Sequence, residues 1–150
     1  MTSLRIAGML GILALAACSG SGGNGLPGGG NPSFAQCNPG TNVELARPAP
    51  NQFGAGNVNS IEIVANGSSN VLNQSPQSWN LQVTDNNGNQ YVSGPLNPAS
   101  DPGGPHPYGS DFFYSAPIQA LPVGFTYNVS LIQNSGCSAY PLYPYGTFST

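Results

Sequence analysis

The sequence predicts an all-β fold: one antiparallel β-sandwich of about seven strands. Two observations favour strands. Short apolar/polar alternations recur along the second half of the chain, and clusters of Gly, Pro, Asn and Ser separate them. One observation argues against helices. No window keeps a 3.6-residue period over three turns, and 21 Gly and 15 Pro would interrupt one. Short strands spaced by turn residues indicate a sandwich or a barrel.

The strands follow in order. Residues 41–47, TNVELAR, are the first candidate. Residues 60–66, SIEIVAN, alternate and put Ile61, Ile63 and Ala65 on one face. Residues 78–85, SWNLQVTD, alternate more cleanly: Trp79, Leu81 and Val83 face in, and Asn80, Gln82 and Thr84 face out. Asn86-Asn87-Gly88-Asn89 then forms a tight turn, because Asn and Gly tolerate the positive φ that hairpins demand. Residues 90–93 return as the partner strand. Residues 111–115, DFFYS, are the fifth candidate, with an ambiguous inward face. Residues 126–133, TYNVSLIQ, put Tyr127, Val129 and Leu131 inward. Residues 145–149, YGTFS, close the chain with Phe148 inward.

Ahead of the domain lie two other segments. Residues 1–17, MTSLRIAGMLGILALAA, carry Arg5 before an apolar run from Ile6 to Ala17. That run is shorter than the roughly 20 residues a membrane-spanning helix needs, and it fits a signal-peptide core. Leu15-Ala16-Ala17-Cys18 resembles the lipobox of bacterial lipoproteins. The resemblance implies cleavage before Cys18 and a diacylglyceryl thioether on its sulfur. Ser19, rather than Asp, then implies an outer-membrane destination in a Gram-negative cell. Residues 18–36 follow as a Gly/Ser-rich tether that buries too little apolar surface to order itself. About 18 such residues give an end-to-end distance of roughly 20–25 Å. Residues 37–150, about 110 residues, are long enough for one domain with one core.

Charge excludes two partner classes. From Cys18 onward the only cation is Arg47, against Glu44, Glu62, Asp85, Asp101 and Asp111. Nucleic acid requires a basic footprint, and none exists. Charge-driven binding to anionic lipid headgroups fails on the same ground, so the membrane is reached through the lipid on Cys18.

Four stretches stand in order along the domain: Arg47-Pro48-Ala49-Pro50 with Gly54, NLQVTDNNGN at 80–89, SAPIQALPVGFTYNVSL at 115–131 and Gly146-Thr147-Phe148-Ser149-Thr150. In them the domain resembles a bacterial Ig-like domain of the surface and S-layer protein type, which is an immunoglobulin-like or fibronectin-III-like sandwich. The resemblance spans about residues 43–150. Leu121–Tyr127 resembles the tyrosine corner of such sandwiches, which implies that the Tyr127 hydroxyl returns to upstream backbone. The Pro-rich stretch Asn97–Ser110 departs from the pattern as a longer loop. With Cys18 acylated, Cys37 and Cys137 remain as an even pair in an oxidising compartment. An Ig-like sandwich puts its N-terminus and the loop before its last strand at one end, which implies a Cys37–Cys137 disulfide. The alternative is two free thiols.

Catalytic and metal motifs are weak. His106 is the single histidine, in PGGPHPYGSD beside Tyr108, Ser110 and Asp111, without a nucleophile elbow. One histidine and two cysteines are too few for zinc. Asp85, Asn87 and Asn89 have the opening spacing of a calcium loop, but Gln90 and Leu96 stand where Gly and the bidentate acid belong. A hairpin turn accounts for the same residues. Asn-x-Ser at Asn66, Asn73 and Asn128 reads as chance in a bacterial chain. No cofactor and no metal are implied. Tyr108, Tyr140, Tyr143 and Tyr145 lie in Pro-rich loops or on outward faces, where aromatic side chains offer rigid contact area. The functional expectation is a non-enzymatic envelope lipoprotein with a structural or adhesive, protein-binding role. The alternative is a small carbohydrate-binding module that uses these tyrosines.

Overall fold

A computed structural model describes residues 35–67, 70–103, 111–134, 136–142 and 146–150. In chain order the elements are β1 (Val43–Arg47), β2 (Ser60–Asn66), helix α1 (Val71–Gln74), a 3-10 turn (Pro76–Ser78), β3 (Trp79–Asp85), β4 (Gln90–Pro95), β5 (Asn97–Ala99), β6 (Asp111–Pro117), β7 (Thr126–Gln133), β8 (Tyr140–Pro141) and β9 (Thr147–Ser149). All strand pairs are antiparallel. One sheet has the order β1-β2-β6-β5. The other runs β4-β3-β7, and both β8 and β9 pair with the far edge of β7. This is the A-B-E-D and C′-C-F-G order of an immunoglobulin-type sandwich.

Alternation sets which faces meet. Trp79, Leu81 and Val83 of β3 are fully buried, as are Tyr127 and Leu131, with Val129 nearly so. Leu81 pairs with Leu131 and Val83 with Val129, so the inward residues of β3 and β7 form rungs on one face. Ile61, Ile63 and Ala65 of β2 and Tyr114 and Ala116 of β6 join them in one core cluster. Because side chains alternate with period two, a one-residue slip would turn these rungs out to water, which fixes the register. Tyr114 resolves the ambiguous face of β6: it and Ala116 are buried, while Phe113 and Ser115 lie on the other side.

Three elements depart from the sequence reading. Asn97–Ala99 was expected to begin a loop but pairs with β6 as an edge strand, where Pro98 is tolerated because an edge needs fewer ladder donors. The final strand meets β7 in two pieces: the Leu142 N–H donates to the Val129 carbonyl, and the Val129 N–H donates to the Gly146 carbonyl. The single-turn helix α1 was not expected. Asn70 caps it by accepting from the Asn73 N–H at 2.8 Å, satisfying a donor that a helix start leaves open. Its Leu72 is fully buried, and the Tyr114 hydroxyl donates to Asn73 Oδ1 at 2.6 Å. The helix therefore closes the end of the sandwich at which β2 finishes and β3 starts.

Candidate functional site

The two ends of the sandwich carry different chemistry. At the first end the chain enters the described fold. Gln36 bridges to Ser138, and the Cys37 N–H donates to the Ser138 carbonyl at 2.8 Å. Cys37 and Cys137 form a disulfide with Cα atoms 5.0 Å apart. The expected pairing is present, and it ties residue 37 to the turn that follows β7.

A shallow, open cleft of about 520 Å³ lies beside this disulfide, lined by Asn38, Gly40, Thr41, Asn42, Asn66 and Tyr140. Asn38 Oδ1 accepts from the Gly40 N–H at 2.9 Å, and the Thr41 hydroxyl donates to the Asn66 carbonyl at 3.0 Å. Gly40 has φ +73°, and a Cβ there would stand 3.3 Å from the Val71 N, so a side chain is disfavoured twice over. These contacts fix the wall. The Asn42 and Asn66 carboxamides and the Tyr140 hydroxyl have no hydrogen-bond partner among the described residues. Tyr140 sits on β8 opposite Leu131, half-buried against the core, so its ring is held from behind. Of the four tyrosines proposed as contacts, Tyr140 is placed at a concavity. Tyr108, Tyr143 and Tyr145 lie outside the described residues, as do His106 and Cys18. The sequence reading missed Asn38, Thr41 and Asn42 as site residues, because Asn in a β protein reads first as turn chemistry.

At the opposite end, Tyr127 is fully buried and its hydroxyl donates to the Pro122 carbonyl at 2.6 Å. This is the expected tyrosine corner. Burial raises the Tyr127 pKa above its ordinary value, with Tyr91 and Asp85 nearby adding to the shift. A second groove, about 400 Å³, lies between the β1–β2 connection and Gly103 and includes Arg47. Arg47 is already engaged there: its guanidinium donates to the Pro102 carbonyl and stands 3.8 Å from Glu62.

Asp85 ends β3 at this same end and has only 3% of its surface exposed. Its Oδ1 accepts from the backbone N–H groups of Asn87 and Asn89, both at 2.9 Å. Its Oδ2 accepts from Asn89 Nδ2 at 2.8 Å and from the Tyr91 hydroxyl at 3.3 Å. Gly88 supplies the positive φ of the turn. The carboxylate is thus consumed inside the hairpin, in keeping with the turn reading of Asp85, Asn87 and Asn89. Burial alone would raise the Asp85 pKa, but the hydrogen bonds outweigh it and hold it below the ordinary value of 3.8. A depressed folded-state pKa contributes stability that is present above the unfolded-state value and is lost as pH falls through the folded one. The difference in melting temperature between the natural protein and Asp85→Asn should therefore be constant from about pH 7 to pH 5 and shrink below about pH 4. An unchanged difference down to about pH 2 would show that these hydrogen bonds do not favour the charged form.

Among the described residues no three of His, Cys, Asp and Glu come together as a metal-holding group. No described helix is long and apolar enough to cross a membrane. The chain matches no known protein-family model and has no significant match among curated proteins or solved structures.

Proposed function

We propose that this chain is a lipid-anchored protein of the bacterial cell envelope, with Cys18 as the acylated residue, residues 19–36 as tether and the sandwich as a display domain. Its role on this reading is structural or adhesive, through contact with another protein, without catalysis. The resemblance of Leu15-Ala16-Ala17-Cys18 to a lipobox supports the anchor. The observation that carries the display role is an asymmetry between the ends. The chain enters at the disulfide end, and the two most exposed large apolar side chains among the described residues stand at the opposite end, whereas Val71 and Phe112 near the disulfide end are about half exposed. Phe53, in the β1–β2 connection, is 87% exposed, and Val123, in the β6–β7 connection, is 67% exposed. A domain held at one end offers the other to partners, and exposed apolar side chains on loops are the usual anchors of such contacts.

Membrane fractionation with metabolic fatty-acid labelling tests the anchor. The natural chain is expected in the membrane fraction carrying label, and Cys18→Ser is expected to lose both. A Cys18→Ser chain that stays labelled and membrane-bound would sink the lipoprotein reading. Capture of envelope proteins by the full chain tests the display role. A captured partner lost on Phe53→Ser with Val123→Ser supports it, and a partner kept by that pair of changes argues against these side chains.

A further inference from the structure

The cleft at the disulfide end has properties that restrict what could occupy it. None of the side chains lining it is charged, so an ionic ligand would find no counter-charge. Its lining is mostly amide and hydroxyl, so a purely apolar ligand would desolvate polar groups without replacing their hydrogen bonds. The groups left over are of a particular kind. The carboxamides of Asn42 and Asn66 each offer both a donor and an acceptor, matching adjacent hydroxyls that also do both. Tyr140 adds a hydroxyl and a ring backed by the core, and such a ring can receive the C–H face of a pyranose.

The walls are also held in place before any ligand arrives. Asn38 directly follows Cys37, and Tyr140 lies three residues after Cys137, so the disulfide joins the two sides of the cleft. The Asn66 N–H donates to the Asn42 carbonyl at 3.1 Å, which sets these two residues side by side across the end of β1 and β2. A ligand therefore meets side chains mounted on a wall whose backbone is already ordered, and binding loses less backbone entropy.

We infer that this cleft is a binding site for a neutral glycan, with Tyr140 as the stacking platform and Asn42 and Asn66 as the groups that read its hydroxyls. A peptide is the less favoured occupant, because the lining holds no apolar side-chain pocket and, of its residues, only Tyr140 lies on an edge strand, the two-residue β8. The inference goes beyond the anchored-display reading and is independent of acylation.

The test is affinity electrophoresis and co-sedimentation of the full chain in a polyoxyethylene detergent, whose headgroup carries no sugar. The probes are dextran, mannan and galactomannan as soluble neutral polymers, isolated peptidoglycan sacculi, and alginate as an acidic control. Retardation by a neutral polymer or pelleting with sacculi is expected. Sacculi alone would identify the cell's own wall as the source, and soluble polymers alone a capsular or external glycan. Asn42→Ala and Tyr140→Leu should each weaken binding about tenfold, the size expected from losing one good contact. Asn42 is exposed and its carboxamide has no hydrogen-bond partner among the described residues, so its variant keeps the fold and the test survives even if Tyr140→Leu does not fold. Cys18→Ser should bind as the natural chain does, which separates a failure here from a failure of the anchor. No binding to any neutral probe overturns the inference, as does binding to alginate alone. So do binding that Asn42→Ala leaves unchanged, and a cleft occupied by a captured peptide that neutral glycans do not displace.

Discussion

Replacing Cys37 and Cys137 together by Ser is expected to lower the stability of the domain by about 2–5 kcal/mol, or roughly 10–25 °C in melting temperature. The sequence separation of 100 residues puts the bond near the top of that range in the chain-entropy account, because the cross-link closes almost the whole domain into one loop. The folded side of the balance adds to this. Cys37 is buried to 2% exposure and belongs to the core cluster, and without the bond the chain entry would be held to the turn after β7 by hydrogen bonds such as Cys37 N–H to the Ser138 carbonyl, Ser138 N–H to the Ala35 carbonyl and Gln36 Nε2 to the Ala139 carbonyl. Thermal melts of the natural and doubly substituted chains, each at matched pH and detergent, measure the effect. A loss under about 1 kcal/mol would mean that the chain ends stay docked without the bond, and the account of the disulfide as the clamp of this end would fail. The glycan cleft depends on the same clamp, so the doubly substituted chain should also lose retention by whichever neutral polymer the natural chain binds.

The strands were legible where a period-two pattern is long enough to be unambiguous. Residues 60–66, 79–85 and 126–133 each carry at least three inward apolar side chains in alternation, and each is a strand in the structure. The Asp85 hairpin was legible because its residues have a local function that needs no distant partner. The elements that escaped depend on tertiary context. Asn97–Ala99 has three residues and a proline, and it is a strand only because β6 lies alongside it. Tyr140–Pro141 is shorter still and is defined by Ser130 and Leu131 of β7. The one-turn helix at Val71–Gln74 is too short to show a period, and its stability comes from burying Leu72 and from the Asn70 cap. The candidate site was half legible. Tyr140 drew notice as an aromatic side chain, but it was expected in a loop or on an outward face. The structure instead puts it on β8, paired with Leu131 at the far edge of β7, half-buried, beside asparagines from the segment after Cys37. Residues almost a hundred positions apart form that cleft, and only the disulfide, itself expected from cysteine parity and fold, hints at their proximity.

Tyr127→Ala is expected to cost about 3–5 kcal/mol, the range for deleting a large aromatic side chain from a packed core. Tyr127→Phe should cost only about 1 kcal/mol. The two values separate the jobs of one residue. The ring stacks on Phe148 with centroids 5.3 Å apart and meets Tyr91 edge-on at 6.0 Å, so its removal leaves a cavity where β7, β9 and β4 come together. Asp85 lies opposite Tyr127 in the β3–β7 register, so the same cavity would loosen the hairpin carboxylate and its partners. The hydroxyl is a smaller matter, because the Pro122 carbonyl keeps a second donor in the Thr150 hydroxyl at 3.0 Å. Phenylalanine preserves the ring and forfeits one hydrogen bond to an acceptor that still has another. Denaturant unfolding of the two variants decides the point. If Tyr127→Phe falls close to Tyr127→Ala, the hydrogen bond and not the packing holds the corner, and the rim from Pro122 to Thr150 would then be expected to open in both variants. If the values separate as expected, the corner is a packing device first. The loops bearing Phe53 and Val123 are tied to it through backbone bonds to Ser149 and Thr150, so they would remain ordered in Tyr127→Phe and lose that order in Tyr127→Ala.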